Sequence, residues 1–227
     1  MNTVAELADR LASVDRAIAD AARTAGRDPS ELTRIVVTKF QPASLVRDLA
    51  ALGVADFGEN RHQEAAAKAA ELADLGLTWH FVGQLQSNKA RQVRSYARVV
   101  HSVDRDALVT ALSAEDGTTL DCFVEVDLSG EPGRGGATPS DVPGLADRIV
   151  AAPGLRLAGV MAVAPLGAPP RAAFAALRLV SDRVRSAHPD AAAISAGMSG
   201  DFREAILEGA THLRIGTAIT GNRPTRA

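Results

Sequence analysis

The sequence predicts a closed (β/α)8 TIM barrel preceded by one extra helix, and three observations carry that expectation. Short β-branched or apolar runs recur along the 227 residues, each followed by a polar turn and an Ala-rich helical stretch. Such alternation argues for parallel strands joined by crossover helices. Eight such units without a long interruption fill one barrel at this length. The competing doubly wound open sheet usually carries G-x-G-x-x-G after its first strand, whereas the first run here ends in TKFQP.

Taken in order, the elements justify themselves locally. Thr3 and Glu6 have capping-box spacing, and Val4, Leu7, Leu11, Val14 and Ile18 fall on one helical face, with Gly26 and Pro29 as the stop. The strand runs are RIVVTK (34–39), VADFGE (54–59), TWHFVG (78–83), RVVHSV (98–103), DCFVEVDL (121–128), RLAGVMAV (156–163), AAISAG (192–197) and HLRIGTA (212–218). Helices are expected at 42–52, 60–74, 86–96, 104–115, 139–152, 170–187 and 200–209. The Gly-, Pro- and Ser-rich segment 129–140 reads as a mobile lid or a long surface loop. The whole chain, 1–227, is expected to form one domain, with residues 1–28 as the N-terminal helical segment and 222–227 as a frayed tail.

Composition narrows the function. An apolar fraction of 46% suffices for a core, and 27 acidic against 25 basic residues leave no excess charge to neutralise nucleic-acid phosphates. One Trp and one Tyr offer no stacking platform for bases. The lone Cys122 cannot form an internal disulfide. No apolar run approaches the ~20 residues that span a bilayer, and the acidic start does not resemble a secretory signal. A cytoplasmic protein that binds neither nucleic acid nor membrane is the expectation.

In such barrels the chemistry sits at the C-terminal ends of the strands. The first run ends at Lys39, one of three lysines beside 22 arginines. A partly desolvated lysine there is a nucleophile toward carbonyl compounds; the bland alternative is a side chain reaching a rim carboxylate. Lys68 and Lys89 lie in helical stretches and read as solvated. SAGMSGD (195–201) places Ser195 and Ser199 at a strand end before a helical run, and the last run adds Gly216 and Thr217. Barrels frequently bind phosphate after strands seven and eight, although glycine and serine also favour ordinary turns. Arg214 lies inside the last run and needs a partner, either Asp127 or Glu59 as an ion pair, or a ligand. His80 reads as a satisfied interior histidine, His101 as a turn residue, and the histidines lack metal-ligand spacing. A reactive amine, a phosphate cradle and a fixed cation are together what pyridoxal 5'-phosphate requires.

These segments resemble a known family. VTKF with Lys39, DFGENRHQE (56–64), WHFVGQLQSNK (79–89), HSVDR (101–105), ISAGMSGD and LRIGTAITGNR (213–223) occur in order over nearly the whole chain. They are similar to the YggS/PROSC family, the pyridoxal phosphate homeostasis proteins. The resemblance implies a barrel like the alanine racemase N-terminal domain and pyridoxal 5'-phosphate held as an aldimine on Lys39. It implies Arg214 facing the pyridine nitrogen, Ser199, Gly216 and Thr217 on the phosphate, and Met198 and Asn60 lining the ring; Ser195 is expected to bind the cofactor from its place at the strand end. Thr38, Phe40, Ala196 and Gly200 depart from the usual residues at their positions.

The resemblance also implies a non-catalytic carrier or buffer in cofactor homeostasis, with apo-enzymes that use the cofactor as recipients. Arginine holds its protons above pH ~12, so the ring nitrogen opposite Arg214 stays unprotonated and the ring is a weak electron sink. A two-base racemase needs a second acid/base group, and the only tyrosine, Tyr96, lies in a helical stretch. A weak amino-acid racemase and a cofactor-free Schiff-base aldolase are the alternatives. A monomer is expected.

Overall fold

A computed structural model describes residues 3–131 and 135–221. Eight parallel strands close in sequential order: β1 (Thr33–Val37), β2 (Asp56–Glu59), β3 (Thr78–Phe81), β4 (Val99–Val103), β5 (Leu120–Glu125), β6 (Leu155–Met161), β7 (Ala193–Ser195) and β8 (His212–Ile215). The closing pair aligns Ile35 with Arg214 and Val36 with Ile215, so the end of β1 lies beside the end of β8. The predicted fold is the one observed.

Helix α1 (Val4–Thr24) carries the expected capping box: Glu6 N–H donates to Thr3 Oγ1 at 3.2 Å and Thr3 N–H to Glu6 Oε2 at 2.8 Å. Leu7, Leu11, Val14 and Ile18 are buried, while Val4 in the first turn stays exposed. The outer layer continues with α2 (Ala43–Ala51), α3 (His62–Glu71), α4 (Ala90–Arg94), α5 (Asp106–Leu112), α6 (Val142–Ala151), α7 (Pro170–Ala187) and α8 (Phe202–Leu207). A ninth helix of one turn, α9 (Thr217–Thr220), stands where the last run was expected to continue as strand. Gly216, at φ −109° and ψ −96°, breaks the extended backbone there. Arg10 reaches from α1 to the Ile219 carbonyl, 2.7 Å from its Nε, and ties the N-terminal helix to this turn.

The apolar core lies mainly between sheet and helices, from Val36, Phe57 and Val100 outward to Leu49, Leu108, Ile149 and Leu177. Burial of this kind supplies most of the stabilisation, at about 25 cal/mol per Å2. Among the described residues no helix is long and apolar enough to cross a membrane, and no group of three or more His, Cys, Asp or Glu could hold a metal. Part of the 129–140 segment is anchored: Ala137 bridges Val126, and Ala137 N–H donates to the Glu125 carbonyl at 2.7 Å. Residues 132–134 and the expected frayed tail, 222–227, lie outside the described residues.

Candidate functional site

Lys39 sits two residues beyond the end of β1, in a turn, and its side chain is exposed. The partial desolvation expected for it is not observed, because the strand stops at Val37 and Thr38, not Lys39, turns into the protein. Its amine has no hydrogen bond or ion pair with the described residues, so the rim-carboxylate alternative is not realised either. Its backbone neighbours are pinned instead. Lys68 Nζ on α3 donates to the Thr38 carbonyl at 2.8 Å and to Glu59 Oε1 at 2.6 Å, and Thr38 Oγ1 donates to the same carboxylate oxygen at 2.7 Å. On the other side, Phe40 N–H donates to Glu64 Oε2 at 3.0 Å, and the Arg61 guanidinium lies over the Phe40 ring, 4.8 Å from its centroid.

Phe40 is the one described non-glycine residue with positive φ, at 66°. Such a backbone costs of order 1 kcal/mol and persists only where surrounding contacts over-determine it. One helix thus grips both residues flanking Lys39. Lys68, expected in solvent, is buried, and so is its partner Glu59. Burial raises the Glu59 carboxyl above its ordinary range, against the opposing pull of the Lys68 ammonium.

Across the β1–β8 seam, the β7 and β8 loops form a second cluster. Ser199 Oγ accepts from the backbone N–H groups of Gly216 and Ala218, each at 3.3 Å, which leaves its own proton to donate. The N–H groups of Ser199, Gly200 and Thr217 have no acceptor among the described residues. A side chain at 216 would lie against the Val37 carbonyl at 3.6 Å, so this loop borders the strand that presents Lys39. The cluster therefore offers several uncommitted donors, a composition suited to a phosphate, with the nearby Asp201 carboxylate engaged by Met198 N–H.

Gly197 shapes that loop, with φ at +89° and α8 so close that a Cβ would stand 2.8 Å from Ala205 Cβ and 2.9 Å from Phe202 Cα. Gly197→Ala is expected to destabilise the fold by about 2 kcal/mol or more, from backbone strain and overpacking together, as read by chemical denaturation. Met198 at the loop's tip is exposed, its N–H bonded to Asp201 Oδ1 at 2.6 Å.

Arg214 is buried inside the barrel. Nη1 donates to Ser195 Oγ at 2.6 Å and Nη2 to the Ala162 carbonyl at 2.9 Å. Neither expected ion-pair partner is used: Glu59 is held by Lys68, and Asp127 Oδ1 accepts from the N–H and hydroxyl of Ser129. Burial pushes the guanidinium down to about 10, opposed by the charges of Glu125 and Asp201. Ser195 is wholly buried and engages Arg214 and His101, whereas Ser199 engages Gly216 and Ala218. His101 is no turn residue. It lies within β4, fully buried, stacked on Phe123 at 4.5 Å between ring centroids.

Four sealed oxygens at the ends of β2, β4 and β5 lack partners among the described residues: Glu59 Oε2, Asn60 Oδ1, Ser102 Oγ and Glu125 Oε2. Unpaired buried polar atoms cost free energy and call for a ligand or water. Asn60 is set from behind by Gly83, where a Cβ would overlap the Asn60 carbonyl at 2.3 Å. Glu125 is a residue that sequence reasoning missed. Its carboxyl rises to about 7, chiefly by burial, with Asp104 and Asp127 adding repulsion and Arg214 opposing. Its folded-state value exceeds the unfolded one near 4.5, so its contribution to stability is intact below pH ~4.5 and is lost as pH rises through ~7. Glu125→Gln is therefore expected to gain stability relative to the parent between those limits, by about 3 kcal/mol in full, as read by denaturation at pH 4.5 and pH 8.

Of the sequence-predicted residues, Lys39, Ser199, Gly216 and Thr217 come together on the rim around the β1–β8 seam, and Arg214 lies beneath them. Asn60 belongs to the β2 edge of the same mouth. The donor set fits a phosphorylated aldehyde with an aromatic ring: one free primary amine, one buried cation, uncommitted N–H groups, and unpartnered oxygens opposite.

Comparisons with known proteins agree. The family described as "Alanine racemase, N-terminal domain" matches residues 33–224. A pyridoxal phosphate homeostasis protein of Pseudomonas aeruginosa is 42% identical over 226 residues, spanning 98% of this chain and 97% of that protein. A solved structure of an unknown protein from Bifidobacterium adolescentis superposes with a TM-score of 0.88 at 30% identity, covering 95% of both chains. PipY of Synechococcus elongatus, solved with PLP bound, gives a TM-score of 0.83 at 36% identity, covering 95% of this chain and 100% of its own. With the barrel, the free rim amine and these relatives in agreement, the chain belongs to the pyridoxal phosphate homeostasis protein family.

Proposed function

We propose that the chain binds pyridoxal 5'-phosphate with Lys39 as its covalent anchor and serves intracellular cofactor homeostasis as a non-catalytic carrier or buffer. The observation that carries this reading is a free amine on a clamped turn: Lys39 has no partner among the described residues, while Thr38 and Phe40 on either side are held by α3. The cofactor, when bound, supplies an aldehyde for amine attachment and an aromatic ring for conjugation. Lys39 would hold the aldehyde carbon covalently through its amine, the carbonyl oxygen leaving as water. Ser199 and the N–H groups of Ser199, Gly200 and Thr217 hold the phosphate. Arg214, fixed by Ser195 and the Ala162 carbonyl, directs its remaining N–H groups at the ring nitrogen and keeps that nitrogen unprotonated. Asn60 and Met198 border the ring, and apo-enzymes requiring the cofactor are the recipients.

The relatives' shared name and the PLP-bound PipY structure support the cofactor. The carrier role is also supported by the position of Tyr96, in the turn after α4, where its ring stacks on His62 of α3 with its hydroxyl 3.5 Å from His62 Nδ1. Burial raises that phenol, making it a poor proton acceptor near neutrality.

One observation favours the second reading, a weak racemase. Glu125, titrating near neutrality at the mouth, has the proton affinity of a general acid/base. Two measurements separate the readings. A carrier transfers cofactor to an apo-enzyme without turning over chiral amino acids in prolonged incubation. Racemisation that is lost in both Lys39→Ala and Glu125→Gln would replace the carrier reading with the enzymatic one.

A further inference from the structure

The barrel interior contains an unbroken polar string that leads away from Arg214 and Ser195 through residues none of the cofactor contacts above uses. Asp56 Oδ1 lies 3.0 Å from His80 Nε2, His80 Nδ1 lies 2.9 Å from His101 Nε2, and His101 Nδ1 lies 2.9 Å from Ser195 Oγ. Ser195 Oγ in turn accepts from Arg214 Nη1 at 2.6 Å. Asp56 opens β2 at the N-terminal end of the barrel, with about a third of its side chain in solvent, while His80, His101, Ser195 and Arg214 are buried. The string runs from that end to the cation beneath the mouth.

Donor and acceptor chemistry fixes its direction. Arginine can only donate, so Ser195 Oγ is an acceptor toward it and has one proton left to give. That proton finds an acceptor only if His101 Nδ1 is bare. A neutral His101 then carries its proton on Nε2 and donates to His80 Nδ1, and His80 donates from Nε2 to the Asp56 carboxylate. Every bond points the same way and every buried atom is satisfied. The reverse arrangement leaves the sealed Ser195 proton with nothing to meet, and an unpaired buried donor is costly. Burial holds His101 well below its usual range, in keeping with a neutral ring.

We infer that Asp56, His80, His101 and Ser195 are positioning residues for Arg214, a one-way donor string that carries the Asp56 charge through the barrel and aims the guanidinium at the bound ligand's ring. The string explains how Arg214 tolerates burial with no carboxylate in hydrogen-bond contact. Aligned dipoles present their negative end, Ser195 Oγ, to the cation. Two of the guanidinium's N–H groups are thereby fixed, and its rigid plane fixes the rest. The inference about the ring rests on the cofactor reading above, whereas the direction of the string does not.

Two experiments test it. In 15N-labelled protein without ligand, long-range imidazole spectra at pH 7 are expected to show both His80 and His101 with the proton on Nε2 and none on Nδ1. A proton on His101 Nδ1 overturns the inference. With pyridoxal 5'-phosphate as the probe, Ser195→Ala is expected to raise Kd about tenfold, the loss typical of a charge-assisted hydrogen bond, and to move the pH at which the bound chromophore's spectrum changes. Asp56→Ala, at a partly exposed position, is expected to raise Kd about threefold, and Asp56→Asn, which keeps the acceptor, to restore most of it. Unchanged Kd and spectra in Ser195→Ala and Asp56→Ala, with the parent protein still attached at Lys39, overturn the inference. Failure of the parent protein to attach at Lys39 defeats the cofactor reading instead, and the string is then decided by the imidazole spectra.

Discussion

Lys39→Ala is expected to abolish the visible absorbance of protein incubated with pyridoxal 5'-phosphate and to weaken binding by about a hundredfold or more, about 2.7 kcal/mol. The fold is expected to be untouched, within about 0.5 kcal/mol, because the side chain is exposed and contacts no described partner. That contrast makes the substitution informative: loss of the chromophore with an unchanged denaturation midpoint isolates attachment from structure. Residual binding in the variant measures what Ser199, Arg214 and the uncommitted N–H groups hold without the covalent bond.

Lys68→Met has the opposite signature. It leaves Glu59 buried and unpaired and removes a donor from the Thr38 carbonyl. Breaking a buried ion pair at one partner typically costs about 3–5 kcal/mol, and that loss is expected in chemical denaturation at pH 8. The sign with pH follows from Glu59. Its carboxyl is already raised by burial, and without the ammonium it rises further, so the folded form prefers the protonated acid. Stability of the variant is therefore greater toward acid pH and falls as pH rises, so the deficit against the parent widens toward pH 8. Lys68→Met with Glu59→Gln is expected to recover more than half of the loss. Because α3 grips the Lys39 turn, the single variant also weakens cofactor binding, whereas Lys39→Ala leaves stability alone.

The parts of the molecule that were legible in the sequence are those written in short range. Alternating apolar runs gave the barrel, since each strand–helix unit carries its own pattern, and Thr3 with Glu6 announced the start of α1. The rim residues were legible because barrel chemistry is confined to strand ends. What escaped is written across the sheet. Lys68 looked solvated within the stretch HQEAAAKAAE, but the inner face of α3 offers only Ala65 beside it. A lysine stem filling a face without large apolar residues, nine positions after Glu59, was the available signal. His80 was read correctly as a satisfied interior histidine. His101 was not, because only β4 packing against β3 and β7 residues reveals its partners. Glu125 was passed over for Asp127, two positions on, which turned out to cap Ser129. The end of β8 was overrun because Leu213, Ile215 and Thr217 continue a strand-like alternation, and Gly216 ends it through its own backbone angles.

The reading of Lys39 illustrates how site chemistry differs from site location. Its place on the rim was foreseen, but the desolvation expected to free its amine is absent. What the structure offers is mechanical: a strained Phe40 backbone, a Glu64 carboxylate on one flank and a Lys68 ammonium on the other. On the proposed reading, attachment at this site would depend on presentation of an exposed amine toward a donor-rich loop.

The most direct measurement is borohydride reduction of the protein with bound pyridoxal 5'-phosphate, followed by peptide mapping of the modified residue. With lysines only at 39, 68 and 89, the map separates the outcomes cleanly. The account predicts one pyridoxyl group per chain on the peptide containing Lys39, absent from Lys39→Ala. Modification at Lys68 or Lys89 with Lys39 unlabelled, or labelling that persists at the same stoichiometry in Lys39→Ala, would contradict it.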